Sequence, residues 1–112
     1  MKIGFFSGGY WAKKAIERIT SNPNFEIVFI VPRDAVNDIE LIETAREFNI
    51  EVINCGNVNS ISAIEEINQY KADLFISLSF NQIIKPVLLQ AAPYGFINFH
   101  AGNYRITEDV TR

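Results

Sequence analysis

Asn98 and His100 are the residues whose types and spacing best suit chemistry. They end a short apolar run, Phe96 to Phe99, that reads as a strand. Residues two apart on a strand point to one face, so the carboxamide and the imidazole are expected side by side, with Phe99 turned away. An amide donor beside a titratable imidazole suits acyl transfer: the amide steadies an oxyanion and the imidazole moves a proton. His100 is the only histidine in the chain. A solitary histidine at a strand end is more often a hydrogen-bonded structural residue, so the pair gains meaning only from its surroundings.

Two other segments are candidates. Ser7-Gly8-Gly9 follows the first apolar run, and two glycines there would let backbone N–H groups approach an anion at a helix N-terminus. A tight strand-to-helix turn needs the same glycines. The dinucleotide fingerprint G-x-G-x-x-G is absent, and Tyr10 and Trp11 crowd the place a pyrophosphate would enter. Ser79-Phe80-Asn81-Gln82 is a polar break whose backbone could hold a planar heterocycle, with Phe80, Ile83 and Ile84 as apolar walls; a plain loop over a core reads the same way. Asp34 is expected to be a solvated loop acid and Cys55 a buried small hydrophobe.

The elements that must position these residues alternate regularly. Strand-like runs occur at Lys2–Phe6, Glu26–Val31, Ile50–Ile53, Asp73–Ser79 and Phe96–Phe99. Between them, apolar residues recur at helical spacing: Trp11, Ala12, Ala15, Ile16 and Ile19; then Leu41, Ile42, Ala45 and Phe48; then Ile61, Ile64 and Ile67. Asn37 with Glu40 predicts a capping box, Ser60 predicts the cap of the third helix, and Pro86 opens a short fourth helix closed by Pro93. Repeated strand–helix units with right-handed crossovers predict an α/β fold: a Rossmann-like doubly wound parallel sheet of five strands in order 3-2-1-4-5, with its switch point between strands 1 and 4. The three candidate segments then converge at the carboxyl ends of the strands. Ala101 to Arg112 shows no helical or strand period and is expected to be an irregular tail.

Composition narrows the function classes. At 112 residues the chain has room for one domain, and 48% hydrophobic residues against 21% charged ones give it a core. The formal net charge of -3 argues against a basic nucleic-acid surface. Lys13-Lys14 is the longest basic run, too short for a polybasic membrane patch. A single cysteine allows no internal disulfide and cannot hold a metal alone. No metal and no membrane partner are expected, and the default location is the cytoplasm.

Together, Ser79-Phe80-Asn81-Gln82-Ile83-Ile84 and Gly95-Phe96-Ile97-Asn98-Phe99-His100, with Pro93 between them and Lys2-Ile3-Gly4-Phe5-Phe6-Ser7-Gly8 at the start, resemble the formyltransferase family. The Ser-Phe-Asn-Gln wording is closest to its sugar N-formyltransferase branch. The resemblance covers residues 1–102, read as an incomplete N-terminal domain followed by the irregular tail 103–112. It implies N10-formyltetrahydrofolate as formyl donor and an amine acceptor, such as that of a nucleotide-linked amino sugar. It implies Asn98 and His100 as catalytic residues, Phe80 to Ile84 (Phe80, Asn81, Gln82, Ile83, Ile84) as the donor-binding segment, and Gly8 and Gly9 as substrate-binding. The family's third catalytic residue, an Asp, falls in a later segment, so the isolated chain is expected to be inactive or nearly so, with homodimerisation left to further segments. Nucleic acid is expected as a partner only in the tRNA branch. The family's Leu-Pro after the His and its Tyr-Arg-Gly are altered here to Ala101-Gly102 and Asn103-Tyr104-Arg105-Ile106. The alternative is a non-catalytic Rossmann-like module that binds a nucleotide or a partner chain.

Overall fold

A computed structural model describes residues 1–9, 11–34, 36–102 and 105–111, with side chains described as far as residue 99. The chain runs β1 (Lys2–Ser7), α1 (Ala12–Thr20), β2 (Glu26–Pro32), α2 (Ile39–Glu47), β3 (Glu51–Val52), α3 (Ile61–Asn68), β4 (Leu74–Leu78), α4 (Pro86–Leu89), β5 (Phe96–Gly102) and β6 (Arg105–Thr111). The sheet order is β3-β2-β1-β4-β5-β6. The first five strands pair in parallel in the predicted order. β6 is a correction to the irregular tail expected at 103–112: it pairs antiparallel with β5, from Phe96 opposite Thr111 to Gly102 opposite Arg105. Its sequence lacks alternation, but Ile106, Thr107, Val110 and Thr111 are β-branched, and pairing satisfies the backbone edge that β5 would otherwise leave open.

The sheet is covered on both faces. On one, α3 and α4 bring Ile67 and Leu88 onto Phe6, Phe29, Phe75 and Phe96. On the other, α1 and α2 bring Ala12, Ile16, Leu41 and Ala45 onto Phe5, Ile27, Ile30 and Leu78. β1 is buried on both faces, as a central parallel strand must be. Gly4 fits this crowding: a Cβ there would lie 2.3 Å from the Phe29 ring. The β1–β2 register slips beside it, between Ile3 and Gly4.

The helix ends differ in one respect from expectation. Ser60 caps α3, its hydroxyl accepting from the Ala63 amide at 3.2 Å. The Asn37–Glu40 capping box does not form; α2 begins one residue later behind Asp38, because the Asn37 side chain donates to Asp34 at 2.7 Å. Two stripes are narrower than read from spacing. Trp11 precedes α1 and is exposed, and α3 buries Ala63 and Ile67 while Ile61 faces solvent.

Candidate functional site

The candidate segments lie at the carboxyl ends of the central strands, around the switch point between β1 and β4. β4 and β5 build the site in rows. Phe75 pairs with Phe96, both in the core beneath α3 and α4. Two residues further along, on the same face, Ser77 pairs with Asn98. The apolar row thus gives way to a polar one. Ser77 is buried, and its hydroxyl donates to Asn98 Oδ1 at 2.5 Å. Ile97 and Phe99 alternate to the opposite face, where Phe99 packs with the α1–α2 core. β5 carries His100 two residues beyond Asn98, its backbone in register with Thr107; its side chain lies outside the described residues.

The β4–α4 segment is fixed by its own polar residues. Ser79 has a φ of 55°, in the left-handed region, and there the chain turns away from the sheet. Its amide donates to the Phe99 carbonyl at 3.4 Å, and its carbonyl accepts from Arg33 Nη1 at 3.3 Å. Phe80 is half-buried, its ring edge-on to Phe6 at 5.6 Å. Gln82 is a brace: its Oε1 accepts from the Val58 amide at 3.0 Å and its Nε2 donates to the Gly56 carbonyl at 2.8 Å. Asn59 answers from the other side, donating to the Ile83 carbonyl at 2.7 Å and accepting from the Lys85 amide at 2.9 Å. Ile84 is a core residue and Ile83 is 81% exposed, so only Phe80 and Ile83 have apolar surface to offer a flat ligand. Asn81 is exposed and lines the neighbouring hollow.

The glycine turn is occupied by protein partners. The Gly8 amide donates to the Leu78 carbonyl at 3.3 Å, and a Cβ on Gly8 would lie 2.5 Å from the Arg33 Cβ. Gly9, with φ of 83°, points its amide at Asp38 Oδ1, 3.5 Å away. An anion arriving at this turn would have to displace an internal carboxylate.

Asp34 is exposed, as expected. Gln82, expected to bind the donor, spends its side chain on the loop. Asn59, Asp38 and Ser77 carry no motif that points to their roles. Asp34 closes the β2–α2 loop, accepting from the Val36 and Asn37 amides and the Asn37 side chain. The Asn37 hydrogen bond, followed by those two amides, holds its carboxyl below the ordinary value. A polar hollow of about 470 Å³ opens between this loop and the β3–α3 loop, lined by Arg33, Asp34, Asp38, Cys55 and Asn81. Burial, and then the charge of Glu66, push the half-buried Cys55 thiol up, so it stays protonated near neutral pH. Among the described residues no group of three His, Cys, Asp or Glu could hold a metal ion. No described helix is long and apolar enough to cross a membrane.

No family model matches the chain. A methionyl-tRNA formyltransferase of Syntrophomonas wolfei is 34% identical over 123 aligned positions, covering 100% of this chain and 39% of that protein. That of Finegoldia magna is 24% identical over 107, covering 89% and 34%. Among solved structures, phosphoribosylglycinamide formyltransferase from Campylobacter jejuni superposes with a TM-score of 0.68 at 18% identity, over 89% of this chain and 57% of that one. Glycinamide ribonucleotide transformylase 1 from Symbiobacterium toebii gives 0.66 at 19%, over 89% and 51%. The chain is a relative of the formyltransferase N-terminal domain. The solved structures establish the shared fold and the curated relatives the kinship in sequence. These relatives are named for methionyl-tRNA and glycinamide ribonucleotide, and the sugar branch is not needed to account for them. The formyltransferase-like chain spans 39% and 34% of the length of the two curated relatives.

Proposed function

We propose that this chain is the donor-side half of a cytoplasmic formyltransferase that moves a formyl group from N10-formyltetrahydrofolate to an amine. The observation that carries the reading is the polar Ser77–Asn98 row at the carboxyl ends of β4 and β5, beside the switch point of a sheet whose relatives are formyltransferases. The segment after β4 suits a flat donor ring, with exposed Ile83 and half-buried Phe80 as apolar surface and the Gln82 and Asn59 bonds holding the loop rigid. Backbone groups from Asn81 to Ile84, rather than the engaged Gln82 side chain, would hydrogen-bond the ring.

Bound N10-formyltetrahydrofolate supplies an electrophilic formyl carbon. As the amine nitrogen attacks it, negative charge grows on the formyl oxygen and positive charge on the nitrogen. The formyl carbon–N10 bond then breaks, the proton lost by the amine is balanced by one taken up at N10, and tetrahydrofolate leaves. The Asn98 Nδ2 group donates to that oxygen. His100 takes the proton from the amine or helps steady the oxygen. The relatives' names favour an aminoacyl or nucleotide-borne amine as acceptor, with a nucleotide-linked amino sugar as the further candidate. The family's Asp has no assigned counterpart in these residues, so the 112 residues alone are expected to bind donor and turn over little. Gly8 and Gly9 would meet the acceptor only after Asp38 moves.

The test is donor titration followed by formyl transfer to methionyl-tRNA, glycinamide ribonucleotide and a nucleotide-linked amino sugar, using the complete protein. Asn98→Ala and His100→Ala should each lower kcat, by about 10²–10³-fold for the loss of the amide donor, while donor affinity survives. Full turnover in His100→Ala removes it from the chemistry. Absence of donor binding sinks the reading.

A further inference from the structure

The geometry points to Ser77 as a positioning residue that selects which edge of the Asn98 carboxamide faces the reacting formyl oxygen. This rests on the formyl-transfer reading above. Ser77 is a polar anomaly in its strand. Leu74-Phe75-Ile76-Ser77-Leu78 is otherwise apolar, and Ser77 is only 3% exposed. A hydroxyl buried without a partner is costly, so a serine kept there needs one. The partner is Asn98, directly opposite in the parallel register, with Ser77 Oγ 2.5 Å from Asn98 Oδ1.

The chemistry follows from the two ends of a carboxamide. They have nearly the same shape, so packing alone hardly distinguishes them. One end donates hydrogen bonds and the other only accepts. A formyl oxygen gaining negative charge is stabilised by the NH2 edge and repelled by the carbonyl edge. Oδ1 can only accept, so the Ser77 hydroxyl is the donor of this bond. With Oδ1 held against β4, the NH2 group occupies the opposite end of the amide. The selection is made before substrate arrives, which is the preorganisation an oxyanion donor requires. Ser77 itself need not touch substrate.

The experiment compares Ser77→Ala, which removes the hydroxyl, with Ser77→Thr, which keeps it. In the ¹⁵N spectrum of the 112-residue chain, the side-chain NH2 pair of Asn98 should shift or broaden in Ser77→Ala and return toward the original position in Ser77→Thr. Backbone signals away from β4 and β5 report that each variant is folded. In the complete protein, Ser77→Ala should lower kcat by up to about a hundredfold, as small misplacements of reacting groups do, with the donor KM unchanged and Thr restoring turnover. In an Asn98→Ala background the Ser77→Ala change should have no further effect on kcat, since the two act as a unit. An Asn98 pair that stays put in folded Ser77→Ala overturns the proposal, and so does a shifted pair with unchanged kcat. Wild-type turnover in Asn98→Ala overturns it as well, whereas absence of donor binding and of formyl transfer in the unsubstituted complete protein sinks the formyl-transfer reading itself, a result separable from the others.

Discussion

At the residue scale, several polar side chains that look available in sequence are committed to holding the backbone. Asp34 is the clearest. Its carboxylate is exposed, yet three hydrogen bonds favour its charged form and lower its pKa. A carboxyl with a lowered folded-state pKa adds stability above its unfolded value, and that stability is lost as pH falls through the folded value. Asp34→Asn should therefore flatten the acid limb of the stability curve below about pH 4, leaving the neutral plateau closer to the acid one. Urea melts from pH 3 to pH 7 check this; parallel curves for variant and parent refute it. Cys55 makes the opposite case. A thiol whose pKa is raised by burial carries little thiolate near neutral pH, so its alkylation at pH 7 should be slower than that of an unstructured cysteine peptide and should accelerate on denaturation.

At the element scale, the loops over the sheet are tied to each other and to the strands. Gln82 fastens the loop after β4 to the one before α3, and Asn59 returns the tie. Gln82→Leu keeps the bulk but strands the part-buried Val58 amide, a loss of about 1–3 kcal/mol. It should also speed amide exchange of Val58 selectively, leaving β1 and β4 protected. Uniform protection across residues 54–59 in the variant would show that the brace is not what holds the loop. Within β1, Gly4→Ala drives a methyl into the Phe29 ring between two covered faces. Overpacking of this kind costs about 1–3 kcal/mol, read as a lower denaturation midpoint at unchanged m-value. The spacing of apolar residues revealed where helices lie, but not which turn is capped. Asn37 and Ser60 look alike in sequence; Ser60 caps α3, while Asn37 is drawn off by Asp34, a choice made by loop geometry that no periodicity records.

At the scale of the whole molecule, burial grades across the sheet. β1 and β4 lie inside it, while β3 contributes only Glu51 and Val52 to its edge. Native-state hydrogen exchange should rank β1 and β4 slowest and β3 fastest, because opening an interior strand exposes two ladders and two packed faces. The sequence by itself determined the five parallel strands and their order, since unbroken apolar runs separated by helical stripes leave a right-handed doubly wound sheet as the compact solution. It also singles out Asn98 and His100 as candidates, because period two along a strand is a local rule. Only the tertiary structure decided that β6 pairs with β5, that Gln82 and Asp34 hold loops, that Asp38 sits at the Gly9 amide and that Ser77 meets Asn98. Ser77 and Asn98 are 21 residues apart in the chain. Their contact exists because parallel register places one opposite the other, and register is set by the packing of the whole sheet, not by the sequence around either residue.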